Sequence, residues 1–184
     1  MTIRVHQTRG RRRAFTLIEM IATIVIMGTM GSIASGVIYQ ASRTYTEAAL
    51  SAQLHAELSA GLDRIDRALR EITLKSPYAS SAPNITSLSA SSITFNGTSV
   101  LAVSGGQATL SESGGPTGVL LQSVSAFAIQ AFDESNAAMA ATLSGTACDA
   151  VRRLSVSITL TRDGVSQTLR TKVFLRSLLK GGAP

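Results

Sequence analysis

The feature that most constrains this chain is an apolar run over residues 15–38, FTLIEMIATIVIMGTMGSIASGVI, whose one charged residue is Glu19. As an α-helix this run would be about 36 Å long, and the hydrocarbon core of a bilayer is about 30 Å thick. An ordinary secretory signal has an apolar region of only about 7–15 residues, followed by its cleavage site. Here the run is longer and the plausible cleavage site precedes it, so we expect a membrane-spanning helix over residues 15–38.

A basic segment with no acidic residue precedes this run. Its arginines are Arg4, Arg9, Arg11, Arg12 and Arg13. Basic residues beside a membrane helix tend to stay in the cytoplasm, so we expect residues 1–14 to be a cytoplasmic leader and the rest of the chain to be exported. Removing these five arginines from the 17 basic residues of the chain leaves 12, against 11 acidic residues. The formal net charge of +6 therefore belongs mainly to the leader, and we expect no nucleic-acid partner.

Glu19 is the most informative single residue, because a carboxylate deep in a membrane helix costs about 2.5–3.5 kcal/mol on insertion scales. Two interpretations are open. The side chain can lie at headgroup depth, where the cost is small, or it can meet a cationic partner when chains pack together.

Residues 11–20, Arg-Arg-Arg-Ala-Phe-Thr-Leu-Ile-Glu-Met, resemble the processing motif of type IV prepilins and pseudopilins. The resemblance implies a membrane aspartyl peptidase that cuts between Ala14 and Phe15 and then methylates the new amino terminus of Phe15. It also implies that Glu19 pairs with the N-terminal amine of an adjacent subunit, and that Arg11, Arg12 and Arg13 are the leader charges. The family usually has glycine before the cut; Ala14 is also small.

A leucine-rich pattern with steps of three and four residues predicts an amphipathic helix over residues 39–75, ending before Pro77. Its apolar stripe consists of Leu50, Leu54, Leu58, Leu62, Ile65, Leu69 and Ile72. We interpret this stripe as core packing and the charges between it as a solvated face, in which Asp63 and Arg67 can pair.

Residues 76–184 read as an exported β-rich domain. After a loop over 76–92, a hairpin is predicted at Ile93–Phe95 and Val100–Val103 around Asn96-Gly97, with a third strand at Gln107–Leu110. Val119–Phe132 is predicted to be one central strand, and Asp133–Ala150 a loop or weak helical turn. The clearest hairpin runs from Leu154 to Leu160, turns at Asp163-Gly164 and returns over Leu169–Leu175. The predicted fold class is α+β and pilin-like, a long N-terminal helix packed on an antiparallel sheet.

The sequence offers no set of residues for catalysis or metal binding. Cys148 is the single cysteine, His6 lies in the leader and His55 in a predicted helix. No metalloprotease, serine hydrolase or phosphate-loop motif is present. Asp133 and Glu134 are interpreted as a surface turn. We therefore expect no enzyme activity, no cofactor and no metal.

The order of an amphipathic helix, a meander and a terminal hairpin resembles the J-type minor pseudopilins of type II secretion systems. The resemblance implies a structural subunit in the inner membrane that initiates or caps a filament, with the prepilin peptidase and methylase and other pseudopilins or pilins as partners. A minor pilin of a type IV pilus, W-type in particular, or of a DNA-uptake system is the alternative. An uncleaved, signal-anchored binding or sensor domain is an alternative from another class.

A basic cluster in the last hairpin bears on these alternatives. It consists of Arg152, Arg153, Arg162, Arg170, Lys172 and Arg176. Three interpretations stay open: a weak phosphate-binding face, the solvated side of a sheet, or a contact with an acidic neighbouring subunit.

Overall fold

A computed structural model describes residues 15–75, 82–112 and 115–175. Within these residues, helix α1, Leu17–Arg70, is followed by nine strands and one short 3-10 helix. The chain divides into two compact units, one ending at Thr46 and the other beginning at Glu47, and each is described by itself. The predicted leader, residues 1–14 with Arg11, Arg12, Arg13 and Ala14, lies outside the described residues, as do Pro77 and Arg176.

The first unit contains α1 up to Thr46, and every one of its described residues is exposed. Among residues 15–46, nothing covers the apolar side chains of the helix, so they need another apolar environment.

In the second unit, the predicted apolar stripe of α1 is buried. Leu54, Leu58, Ile65 and Leu69 are fully buried in one core with residues of the strands. The helix ends at Arg70, although the sequence placed its end near residue 75. Beyond it the chain is extended, and Leu74 forms an antiparallel bridge with Pro83.

The strands are short in the first part of the domain and long at its end. They are β1 Ile85–Leu88, β2 Ser92–Phe95, β3 Ser99–Ser104, β4 Gln107–Ser111, β5 Thr117–Leu121, β6 Val124–Phe132, β7 Leu143–Ser144, β8 Arg153–Arg162 and β9 Val165–Phe174. The 3-10 helix, Gly145–Ala150, lies between β7 and β8.

The strands form two antiparallel sheets. One has six strands in the order β5-β4-β3-β2-β1-β7, and the other has three in the order β6-β8-β9. The sequence predicted one antiparallel sheet, whereas the structure has two, packed with a long helix. The predicted α+β, pilin-like architecture is confirmed.

The prediction of a single central strand over Val119–Phe132 is wrong. This segment is two strands, β5 and β6, in different sheets, and β6 is an edge strand. The break falls at Ser123, whose φ of +60° is uncommon for a residue with a side chain. Strand β1 was also missed, because the sequence around it reads as a loop.

The predicted hairpins are confirmed. Residues Ile93 and Leu101 face each other across β2 and β3, and Leu154 faces Val173 across β8 and β9. On β8 the four alternating apolar residues are fully buried: Leu154, Val156, Ile158 and Leu160. The alternation places the exposed side chains of Arg170 and Lys172 on the opposite face of β9.

Candidate functional site

The start of helix α1 is the candidate site that the sequence singles out. Thr16 immediately precedes the helix, and its carbonyl oxygen accepts hydrogen bonds from the N–H groups of Glu19 at 3.1 Å and Met20 at 3.2 Å. Its hydroxyl also accepts from the N–H of Glu19, at 3.4 Å. Thr16 is thus the N-cap of the helix, and it satisfies one of the backbone donors that every helix leaves unpaired at its first turn.

Glu19 lies in the first turn of α1 and is exposed. A negative charge there interacts favourably with the partial positive charge of the helix N-terminus. Thr16 and Glu19 have the spacing of a capping box, Thr-x-x-Glu, which is a sequence signature of a helix start. This signature locates the beginning of the helix and could have been recognised in the sequence.

Phe15 and Ala14 flank the predicted cut. Phe15 is 68% exposed and lies two residues before the first helical residue. Ala14 lies outside the described residues. The predicted roles of Ala14, Phe15 and Glu19 in processing and pairing therefore stay predictions.

The described residues of the predicted span place large apolar side chains on the surface in all directions. They are Phe15, Leu17, Ile18, Met20, Ile21, Ile24, Val25, Ile26, Met27, Met30, Ile33, Val37 and Ile38, each at least 50% exposed. The helix is long and apolar enough to cross a membrane. A helix that is apolar all round belongs in lipid or among other helices.

Three hydroxyl groups inside the apolar run are satisfied within the helix itself. The hydroxyls of Thr23 and Thr29 donate to the carbonyl oxygens three residues earlier, at 2.8 and 2.9 Å. The hydroxyl of Ser35 donates to the carbonyl oxygen of Gly31 at 2.7 Å. These groups therefore need no water, which lowers the cost of placing the helix in an apolar environment.

Charged residues of the second unit mostly pair with one another. The predicted pair of Asp63 and Arg67 is present, and Asp66 pairs with Arg70 in the same way. Farther along the chain, the hairpin is linked to the helix where Arg162 lies 3.3 Å from Glu57. An exposed pair such as Asp63–Arg67 contributes about 0–1 kcal/mol and describes a solvated surface rather than a reactive site. The Arg162–Glu57 pair is half-buried.

The basic cluster of the last hairpin is not one patch. Arg162 pairs with Glu57, and Arg152 donates to the carbonyl oxygen of Asp149 at 2.7 Å. Arg153 donates to the Asn136 side chain at 2.7 Å. Of the cluster members that the structure describes, only Arg170 and Lys172 have neither a side-chain hydrogen bond nor an ion pair with another described residue.

Cys148 is fully buried in the core, and burial raises the pKa of its thiol. Such a thiol is a poor nucleophile, because the thiolate is the reactive form. Within the part of the chain that the structure describes, no group of three His, Cys, Asp or Glu side chains could hold a metal ion.

Comparison with known proteins finds one match. The family model described as the prokaryotic N-terminal methylation motif matches residues 9–35. Neither curated proteins nor solved structures give a match to the chain. The matched segment contains the predicted cut, the capped start of α1 and Glu19. The chain therefore carries the N-terminal methylation motif of type IV pilin-like proteins.

Proposed function

We propose that this chain is a minor pseudopilin, a structural subunit that is matured by a prepilin peptidase and enters the pseudopilus of a type II secretion system. One observation carries this proposal. The methylation motif over residues 9–35 leads directly into a helix whose apolar side chains are exposed on every side from Phe15 onward.

In the proposed maturation, the peptidase hydrolyses the bond between Ala14 and Phe15. Water supplies the hydroxyl of the new Ala14 carboxylate, and Phe15 leaves with a free amine. The amine then takes a methyl group from a sulfonium methyl donor bound by the methylase; the donor leaves as a thioether and the amine loses one proton. The product is a secondary amine that is protonated at neutral pH, four residues before Glu19.

The charge at Phe15 and the carboxylate of Glu19 are then suited to pair between neighbouring subunits. In apolar surroundings two opposite charges attract strongly, whereas leaving either one unpaired is costly. This pairing would set the axial position of one helix against the next while apolar side chains close around it.

Before assembly the same helix would anchor the protein in the inner membrane, with the leader in the cytoplasm and residues after 38 outside. In the filament, the helices of neighbouring subunits would replace lipid around the apolar surface. The assignment to a type II secretion system is supported by the order of amphipathic helix, meander and terminal hairpin. The single cysteine cannot close an intrachain disulfide loop, which argues against a major adhesive pilin.

The test is the mass and N-terminal sequence of the membrane-extracted protein, produced with and without its peptidase. We expect a chain that begins at singly methylated Phe15 only when the peptidase is present. Replacement of Ala14 by a bulky residue should leave the precursor intact, and Ala14→Gly is the matched control that should be processed. Retention of residues 1–14 under both conditions would refute the proposal and favour a simple membrane anchor.

The type of filament needs a second measurement. Site-specific cross-linking from α1 in the producing cell identifies the subunits beside it. Cross-links to pseudopilins of a secretion system are expected. Cross-links to pilins of a type IV pilus or of a DNA-uptake system would replace the secretion assignment while leaving the maturation intact.

A further inference from the structure

Strand β9 is the outer strand of the three-stranded sheet, and its hydrogen-bonding pattern follows from the turn that precedes it. Asp163 and Gly164 have φ of +50° and +80°, the positive values of a two-residue type I′ turn. In such a hairpin the residues flanking the turn, Arg162 and Val165, form a hydrogen-bonded pair, and the pairs then alternate along the ladder.

Alternate residues of β9 therefore direct their backbone groups away from β8. These are Ser166, Thr168, Arg170, Lys172 and Phe174. Among the described residues, none of these five has a backbone partner on its outer side. Their side chains are all exposed as well, so neither backbone nor side chain is covered on this edge.

The opposite edge of the same sheet is closed. On β6 the N–H of Ile129 donates to the carbonyl oxygen of Ala90 at 3.3 Å, and the carbonyl oxygen of Ala131 accepts from the N–H of Met139 at 3.0 Å. Val124 likewise donates to Gly106 at 2.9 Å. Natural proteins usually cover or disrupt a sheet edge, and the described residues do so for this sheet on the β6 side alone.

The side chains of β9 determine which side chains an added strand would need in order to pair with it. On the outer face, Arg170 and Lys172 lie two residues apart, and neither has an acidic group within ion-pair distance among the described residues. Phe174 follows them, 54% exposed, with the Arg153 guanidinium 5.2 Å from its ring centre. On the other face Leu169 is only partly buried against the core.

A second copy of this chain fits the basic end of this edge poorly. Two β9 strands paired antiparallel about Thr171 would bring Arg170 and Lys172 of one copy beside those of the other. Like charges that face each other across a ladder are destabilising. Arg170 and Lys172 would attract an acidic strand. They therefore favour an acidic partner over a basic one and do not prevent strand addition in general.

We propose that β9 is a docking edge for an extended, acidic segment of another protein. This segment adds a fourth strand to the sheet, as in other cases of recognition by strand addition. It carries carboxylates beside Arg170 and Lys172 on the outer face, and apolar residues beside Leu169 on the other. The inference does not depend on the proposed maturation or filament.

A short synthetic peptide of alternating valine and glutamate, labelled for fluorescence anisotropy, tests this proposal on the full chain in detergent micelles. We expect saturable binding, together with slowed exchange of the outward N–H groups of Thr168, Arg170 and Lys172. The same peptide with lysine for glutamate should bind at least about tenfold more weakly.

Two variants separate backbone pairing from charge. Thr168→Pro removes an outward N–H but none of the backbone bonds to β8, and should weaken binding about tenfold. Thr168→Val is the matched control: like Thr168→Pro it loses the 2.8 Å hydroxyl bond to Thr159 of β8, but it keeps the N–H and should bind normally. If Thr168→Pro does not fold, the double charge reversal Arg170→Glu/Lys172→Glu decides, because it should transfer preference to the lysine peptide.

Several results would overturn the proposal. They are no binding at millimolar peptide, equal binding of both peptides, full binding by Thr168→Pro or by the charge reversal, and protection confined to amides outside β9. Self-association of the free chain that is lost in Thr168→Pro would identify a second copy as the occupant and would also overturn it.

Discussion

The side chain of Asn96 joins the β2–β3 turn to the segment that follows helix α1. Its Oδ1 atom accepts hydrogen bonds from the backbone N–H of Thr73 at 2.9 Å and from the Thr73 hydroxyl at 3.1 Å. Its Nδ2 atom donates to the carbonyl oxygen of Glu71 at 3.0 Å. One amide therefore satisfies both a donor and an acceptor just beyond Arg70, where the helix ends before the position expected from the sequence.

We expect Asn96→Gly to lower the free energy of unfolding by about 1–3 kcal/mol, because it removes three hydrogen bonds. Glycine tolerates the φ of +50° at this position, so the loss reports the side chain alone. Asn96→Ala should cost about 1 kcal/mol more, since alanine is strained there. Denaturant unfolding of the full chain in detergent, followed by circular dichroism, measures both.

Asn136 provides the control, because it is exposed, has a similar φ of +65° and makes a single side-chain bond, to Arg153. Asn136→Gly should change the free energy of unfolding by less than about 1 kcal/mol. Equal losses in Asn96→Gly and Asn136→Gly would mean that Asn96 does not secure the end of the helix.

At Gly61, helix α1 packs closely against a side chain of the six-stranded sheet. A Cβ atom at this position would lie 2.5 Å from Cδ2 of Leu121, which is fully buried. Alanine normally stabilises a helix by about 1 kcal/mol relative to glycine, but here we expect Gly61→Ala to destabilise the domain by about 1–3 kcal/mol.

The double variant Gly61→Ala/Leu121→Ala tests the cause of this effect. Leu121→Ala alone should cost about 2–5 kcal/mol, and the double variant should cost clearly less than the sum of the two single variants. Strict additivity, or a gain in stability from Gly61→Ala alone, would show that the close packing is not what requires glycine.

The periodic segments could be predicted from the sequence because burial alone determines their pattern. The stripe from Leu54 to Leu69 repeats at helical spacing, and the strand from Leu154 to Leu160 alternates strictly. Both are buried as expected. The turns of the β2–β3 and β8–β9 hairpins could also be predicted, since Asn96-Gly97 and Asp163-Gly164 are residues that adopt positive φ at low cost.

The elements that were missed lack such local signals. The change of sheet between β5 and β6 occurs at Gln122-Ser123, which has no glycine or proline to indicate a turn. Strand β1 lies in a stretch rich in serine. For the candidate site, Ala14, Phe15 and Glu19 follow from a motif, whereas the open edge of β9 depends on which strands are neighbours, and that is a long-range property of the fold.

Cys148 should be unreactive in the folded chain. It is fully buried, and burial raises the pKa of its thiol above the ordinary value of 9.0. We expect a maleimide to label it at least about 100-fold faster in denaturant than in detergent alone. Rapid labelling of the folded chain would show that the 3-10 helix Gly145–Ala150 opens readily.

The same shift in pKa predicts a dependence of stability on pH. Because the folded-state pKa is raised, the contribution to stability is fully present below the unfolded pKa and is lost as the pH rises through the folded one. The free energy of unfolding should therefore fall more steeply above pH 9 in the natural chain than in Cys148→Ala. Parallel pH profiles for the two chains would contradict this.

Glu19 has two separable roles, at the start of the helix and in the proposed pairing with a neighbouring amine. Glu19→Gln removes the charge but keeps a residue that suits this capping position, so cleavage and the helix should persist while filament incorporation falls sharply. Thr16→Ala removes the cap, a cost of about 0.5–2 kcal/mol, but leaves the carboxylate, so it should still be incorporated.

Incorporation is measured in sheared filament fractions. If Glu19→Gln is incorporated normally, or if both variants fail alike, the pairing role is wrong and Glu19 matters only for the helix start.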